Sequence, residues 1–168
     1  TNITVAGLTL AHSQATYLGA YEMPTGGDVS VHRGAALVLE KTQDCTVINA
    51  TFSSVGGNGL LISRKNLRAR VAHSEFKWTG DGAIVVLGET SPVCHTFGTE
   101  RVCANIGPSA LTDSHPVGTV IEKNLIRELG IYNKQAAAVL QALAASTTIR
   151  DNVFFNMPRA GIDLIDGF

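Results

Sequence analysis

The sequence predicts an all-β solenoid, a coil of short parallel strands stacked so that successive turns share one core. Three observations carry this. First, a short apolar run opened by a small residue recurs as GAALVL at 34–39, GLLI at 59–62, GAIVVL at 82–87, AAAVL at 136–140 and GIDLI at 161–165. The copies lie about 23 to 25 residues apart, with one gap of roughly twice that, a period that marks a repeat architecture. Second, another phrase sits between them: VINATF at 47–52, VAHSEF at 71–76, IEKNLI at 121–126 and IRDNVF at 149–154, with a worn copy, VAGLTL, at 5–10. Its skeleton is an aliphatic residue, two variable positions, a small or amide residue, one variable position and a bulky apolar one. Third, strand formers dominate, and glycines fall where the corners of a coil would be. Two strand phrases per turn are expected. No unit can bury its apolar face alone, so the units must stack.

The stacked valine–isoleucine rungs and the column formed by Asn124 and Asn152 resemble the right-handed parallel β-helix of the pectate-lyase-like superfamily. HRGA at 32–35, WTGD at 78–81, GIYNKQ at 130–135 and PRAGI at 158–162 resemble phrases of large, poorly characterised secreted β-helix proteins. The resemblance spans nearly the whole chain and implies a right-handed coil with rungs of roughly 24 residues. It implies little about chemistry, because this fold hosts lyases, hydrolases, adhesins and inert fibres alike.

The 168 residues fit one domain, 1–168. With 13 basic and 14 acidic residues the net charge is −1, which points to no nucleic-acid or membrane-surface partner. No apolar run approaches a membrane span. The best helical candidate, 135–145, is alanine-rich, but it falls on the repeat and is read as a strand. The chain begins inside one strand phrase and ends just after another opens, with no capping unit, so a segment of a longer protein is expected.

Two loops of about 13–31 and 88–117 interrupt the coil. Repeat proteins put such insertions on one face, often the binding face. Cys94 and Cys103 flank a short stretch of the second loop and are placed for a disulfide staple, whereas Cys45 reads as a small buried residue. Asn2-Ile3-Thr4 and Asn49-Ala50-Thr51 are acceptor triplets for glycosylation. Together with the cysteine pair they point to a secreted or cell-surface location.

Alternation along the strands assigns Ala35, Leu37, Ala83, Val85, Ala137, Val139, Ile162 and Leu164 to the interior. It leaves Ala36, Val38, Leu61, Ile84, Val86, Ala138, Leu140 and Ile165 on an outer ladder, with Ser63 and Asp163. So apolar a face requires a cover. The candidates are the two loops, another protein chain or a second copy in an oligomer or filament.

Polar residues cluster just before each rung. Aligned on the opening small residue, one column reads Arg33, Asn58, Asp81, Gln135, Ala160 and its neighbour reads His32, Gly57, Gly80, Lys134, Arg159. Rungs are about 4.8 Å apart, which would bring Lys134 and Arg159 near Asp81 and Gln135. A polysaccharide lyase needs a base for the proton beside a uronate carboxylate and a positive charge for the resulting enolate. Lys134 and Arg159, with Asp81, are the candidate catalytic set, and Trp78, Gln135, His32 and Arg33 the candidate substrate-binding set. The competing assignment makes them corner residues that satisfy turn carbonyls. Asp163 and Asp166 could seed a hydrolase site, although no partner carboxylate is in view. Asp81, Glu89 and Asp113 are too scattered for a calcium site, and His12, His73, His95 and His115 lack metal spacing. No metal or cofactor is assigned; calcium stays open.

Whether the chain is an enzyme stays open too, and two functional readings follow. One is an extracellular β-solenoid module with a structural, assembly or glycan-binding role, its partner a polysaccharide or a chain packed on the apolar face. The other is a carbohydrate-active enzyme, a lyase on an acidic polysaccharide.

Overall fold

The structure is a computed structural model that describes residues 1–22, 30–89 and 114–165, together with the backbone of 92–97 and 100–105. Among the described residues there is no helix. Three five-stranded parallel sheets stack the same five turns of chain. The first contains Thr4–Ala6, Thr46–Ile48, Arg70–Ala72, Val120–Glu122 and Thr148–Arg150. The second contains Thr9–Ala11, Thr51–Ser53, Glu75–Lys77, Leu125–Arg127 and Val153–Phe155. The third contains Ala35–Glu40, Asn58–Ser63, Ile84–Leu87, Ala137–Ala142 and Ala160–Ile165. Every turn gives one strand to each sheet, the strand order of a β-solenoid. The alanine-rich stretch is a strand, as its place on the repeat requires.

Each turn therefore carries at least three strands, not two; Asn66–Leu67 and Pro116–Val117 pair as a further short strand in the third and fourth turns. The second sequence phrase breaks in the middle, where Asn49, His73, Lys123 and Asp151 adopt φ of 51°, 49°, 53° and 56° and Gly7 adopts 66°. A left-handed residue turns the chain sharply, so VINATF becomes two short strands meeting at a corner. Similar columns stand at the other corners: Asn2, Asp44, Arg68 and Ser146 with Gly118 before the first sheet, and His12, Ser54, Trp78, Glu128 and Asn156 after the second. Most corner residues are not glycine, which is why glycine spacing alone did not reveal them.

Beside that corner runs the ladder expected at Asn124 and Asn152. Ala50 N donates to Ser74 Oγ at 3.1 Å, Ser74 N to Asn124 Oδ1 at 3.0 Å and Asn124 N to Asn152 Oδ1 at 2.9 Å. The Asn124 amide also donates to Val71 O, and that of Asn152 to Ile121 O. Asn124 is buried and Asn152 half-buried. Losing one such side chain would orphan buried backbone groups at a cost of about 1 to 3 kcal/mol each.

The interior is built by Val47, Val71 and Ile121 of the first sheet, Phe52, Phe76 and Ile126 of the second, and Leu60, Ile62, Ile84, Val86 and Val139 of the third. The Phe52 and Phe76 rings stack at 4.4 Å, nearly parallel. They explain the small residue that opens each apolar run. In register that position holds Ala36, Gly59, Ala83, Ala138 and Gly161. A methyl added at Gly59 would stand 2.8 Å from the Phe76 ring, and one at Gly161 would stand 3.3 Å from that of Phe154.

This register corrects the alignment made on the small residues. Ile84 pairs with Leu60 and Val139, so Ala83, not Gly82, matches Gly59. A slip of one place inverts every side chain. Ile84 and Val86 thus point inward, and Val85 and Leu87 outward. Leu37, Val139, Ile162 and Leu164 stand in the inward columns as expected, the last two exposed on the fifth turn. The outward residues Leu61, Val85, Leu87 and Leu140 are buried within the chain itself, in a second cluster joined by Val31 of the first insertion. Val38, at the sheet edge, is exposed.

The second insertion contains an antiparallel hairpin, Pro92–Phe97 with Glu100–Asn105, whose backbone sets Cys94 opposite Cys103. The proposed bridge between those side chains lies outside the described residues. Cys45 is a buried free thiol.

The corner columns generate a stability test. Lys123 is exposed at φ 53°, so Lys123→Gly exchanges left-handed strain for glycine's chain entropy and is expected to raise unfolding free energy by about 0.5 to 1 kcal/mol. Gly118→Ala, at φ 71°, should lower it by about 1 kcal/mol. Urea midpoints that moved together, or in the opposite order, would refute this account of the corners.

Candidate functional site

A cleft of about 310 Å³ lies over the corner between the second and third sheets. Its floor is glycine. Gly56 and Gly80 lie on consecutive turns, and a methyl on Gly80 would collide with the Gly56 carbonyl at 2.1 Å. Only bare backbone permits so close an approach.

One wall comes from the first insertion. Gly56 N donates to Ser13 Oγ at 3.1 Å and Thr16 N to Gly56 O at 3.3 Å, which lays Ser13 and Ala15 along the cleft. The other wall is an enlarged corner in the fourth turn. From the second sheet to the third, seven positions separate Lys77 from Ile84, whereas twelve separate their register partners Arg127 and Val139. The extra residues fold back on the third turn: Ile131 N donates to Thr79 O, and Tyr132 N and Asn133 N both donate to Gly80 O. Gly130, at φ 65°, begins this fold; a side chain there would strike Pro158 and the Asn133 carbonyl.

Aromatic side chains rim the cleft. Trp78 takes the left-handed corner position at φ 50° and is 45% exposed, and Tyr132 is 54% exposed. Lys77 Nζ and the Arg127 guanidinium lie 5.6 and 5.5 Å from the Trp78 ring centre, within cation–π range. Tyr17 packs on Tyr132 at 5.3 Å. A neighbouring depression of about 340 Å³, lined by Tyr17, Tyr21 and Asn133, shares Tyr132 with the first.

Asp81 ties the two walls together. Its carboxylate accepts from Tyr21 Oη of the insertion, from Asn133 Nδ2 of the enlarged corner and from Gly82 N, each at 3.0 Å. Burial pushes its carboxyl above the ordinary value of 3.8, only partly opposed by the donors and by the nearby His32. The Tyr21 hydroxyl is pushed up as well, chiefly by burial.

The other candidates are placed as follows. His32 holds the insertion through Ala20 O at 2.8 Å. Arg33 forms a two-pronged pair with Glu22 and donates to Ser63 Oγ and Gly88 O, which joins the insertion to the second and third turns. Lys134 Nζ donates to the carbonyls of Gly130, at 2.6 Å, and Ile131, at 3.3 Å. Arg159 donates to Gln135 Oε1. In register Asp81 is level with Ala136 and Arg159, and Gln135 with Gly80, so the columns read from the sequence are displaced by the longer corner. Asp163 is half-buried on the fifth turn. Asn2 and Asn49 are both exposed, at left-handed corners. Among the described residues, no three His, Cys, Asp or Glu side chains converge where a metal could sit.

Sequence reasoning missed Ser13, Tyr132 and Asn133 as site residues. The five-residue excess in the fourth corner was the signal that could have found them.

No protein-family model, curated protein or solved structure gives a significant match to the chain.

Two buried carboxylates give opposite pH signatures. Asp81's folded value is raised, so its contribution to stability is full below 3.8 and is lost as pH rises through the folded value. Glu122 accepts from Arg70 and Arg150, whose hydrogen bonds hold it below its ordinary 4.5, so its contribution is present above 4.5 and lost as pH falls through the folded value. Asp81→Asn should therefore gain on the wild type as pH rises above about 4, and the deficit of Glu122→Gln should shrink as pH falls below 4.5. Urea unfolding across this range checks both slopes; parallel slopes for the two variants would contradict the assignment.

Proposed function

We propose that the chain is part of a secreted or cell-surface right-handed parallel β-helix of the pectate-lyase-like type, and that it acts as a non-catalytic module which binds a saccharide in the Trp78–Tyr132 cleft. The observation that carries this is the pair of exposed aromatic rings over a glycine floor. Sugar rings present flat C–H faces that pack on aromatic faces, while their hydroxyls bond to groups such as Ser13, Ser54 and the backbone. A stacked-sheet body holds such a surface rigid, which limits the entropy lost on binding.

The lyase reading draws less support. It asks Lys134 to take a proton from substrate, but Lys134 Nζ gives two of its three donors to carbonyls of its own turn. It asks Asp81 to face substrate, but that carboxylate is buried and occupied by three donors from the chain.

Trp78 is the sole tryptophan, so its emission reports on the cleft directly. Titration with a panel of oligosaccharides is expected to shift or quench that emission, and Tyr132→Ala should weaken the response about tenfold, the worth of one aromatic stacking contact. No unsaturated uronate product should build up during incubation with acidic polysaccharides. A glycan that leaves Trp78 emission unchanged yet is cleaved to such a product would replace this proposal with the lyase.

Secretion brings two covalent expectations: a Cys94–Cys103 bridge, set up by the hairpin register, and glycans on Asn2 and the exposed Asn49. Non-reducing peptide mapping of protein secreted from a eukaryotic host reads both. Free thiols at 94 and 103 together with unmodified asparagines would argue against an oxidising, glycosylating compartment.

A further inference from the structure

We infer that the saccharide accepted by the Trp78–Tyr132 cleft is uncharged, a short stretch of a neutral glycan and not of a uronate polymer. The inference rests on the cleft being a saccharide site, as proposed above, and it concerns what the lining does not offer.

Among the described residues, the lining carries no ionic side chain. It is made of serine, alanine, valine and glycine together with Ile131 and the two aromatic rings. A uronate residue bound there would leave water with its carboxylate unpaired, and an unpaired buried charge is strongly disfavoured. The cations nearby are already engaged. Lys77 Nζ pairs with Glu75 Oε2 at 2.8 Å, and Arg127 gives both Nε and Nη2 to Glu75 Oε1, at 3.1 and 2.8 Å. Their charges hold Glu75 below its ordinary value, with the Lys77 hydrogen bond the largest cause. Freeing either cation for a ligand would cost Glu75 one of its two ionic partners. Lys134 is bound to its own turn, and Arg159 to Gln135. Asp81, adjacent to Gly80, offers no positive charge to an anion at the floor.

What the lining does offer suits a neutral ring. Trp78 and Tyr132 supply flat apolar surface. Ser13 accepts from Gly56 N, which leaves its own hydroxyl proton free to donate to a sugar oxygen. At about 310 Å³, the space lies near the lower end of ligand sites, roughly 300 to 1,000 Å³, which fits a short stretch of sugar rings.

The test follows Trp78 emission while the protein is titrated with neutral hexasaccharides (gluco-, xylo-, manno- and galacto-configured) and, in parallel, with oligogalacturonate and alginate oligomers. The neutral series is expected to contain a binder, and the acidic series to show at least a tenfold weaker response. Binding of the neutral ligand should not change between low and high salt, because no charge pair is screened. Ser54→Lys, which sets a cation at the cleft wall, should raise acidic binding about tenfold or more. Should that variant fail to fold, the salt dependence of the wild type decides the same point. An acidic oligomer that binds as tightly as the best neutral one, with strong salt dependence, overturns the inference and leaves the saccharide site standing. If neither series moves the Trp78 emission, the site itself falls and the inference with it.

Discussion

The fit of large rings against small residues across the interior sets the cross-section of this coil. Phe52 and Phe76 lie one above the other in the second sheet, with Leu10, Ile126 and Phe154 at the matching place in the other turns. The third sheet can approach only where its chain carries no bulk, at Ala36, Gly59, Ala83, Ala138 and Gly161. That contact fixes the phase of the third sheet against the second, and so which of its side chains enter the core. Once the phase is set, Leu60, Ile62, Ile84 and Val86 have to fill the remaining interior, and Leu61, Val85 and Leu140 have to be covered from outside. The first insertion, which brings Val31, answers part of that second demand. Nearer its start, the same insertion supplies Ser13 and Ala15 to a wall of the cleft.

The cleft is thus a by-product of how the coil closes. Chain added at two corners has to be anchored, and the anchors are polar groups set against the outside of the coil. Asp81 draws Tyr21 and Asn133 together from segments far apart in sequence, and Arg33 pins Glu22. Between those anchors the backbone of Gly56 and Gly80 is left bare, with aromatic side chains on either side.

Much of the coil was legible in the sequence. Its period survives insertions because each turn must repeat the same contacts, and the amide ladder could be picked out from two asparagines at one position of one phrase. The split of that phrase into two strands was not legible. Its corner residue turns with a positive φ that asparagine, histidine, lysine and aspartate all adopt here, so no single letter marks it. The slip at Gly82 has a related cause. Gly82 and Ala83 are both small, and only the pairing of Ile84 with Leu60 decides which of them matches Gly59, the residue that meets the Phe76 ring. The site was legible in fragments. Trp78 and Asp81 stood out as rare or charged residues near a corner, whereas Tyr132 and Asn133 owe their position to the length of one corner, a property of the whole turn.

The corner positions carry a consequence for how such a chain diverges. Their backbone shape is imposed by the strands on either side, while their side chains point away from the core, so they can drift almost without restriction. The core columns drift too, though within a narrow alphabet: any aliphatic residue at one place, anything small at another. What descent must preserve is a rhythm of bulk and absence of bulk, spelled differently each time. Two coils of this kind can keep the same shape after shared letters have all but gone, and kinship between them would then survive in spacing longer than in identity.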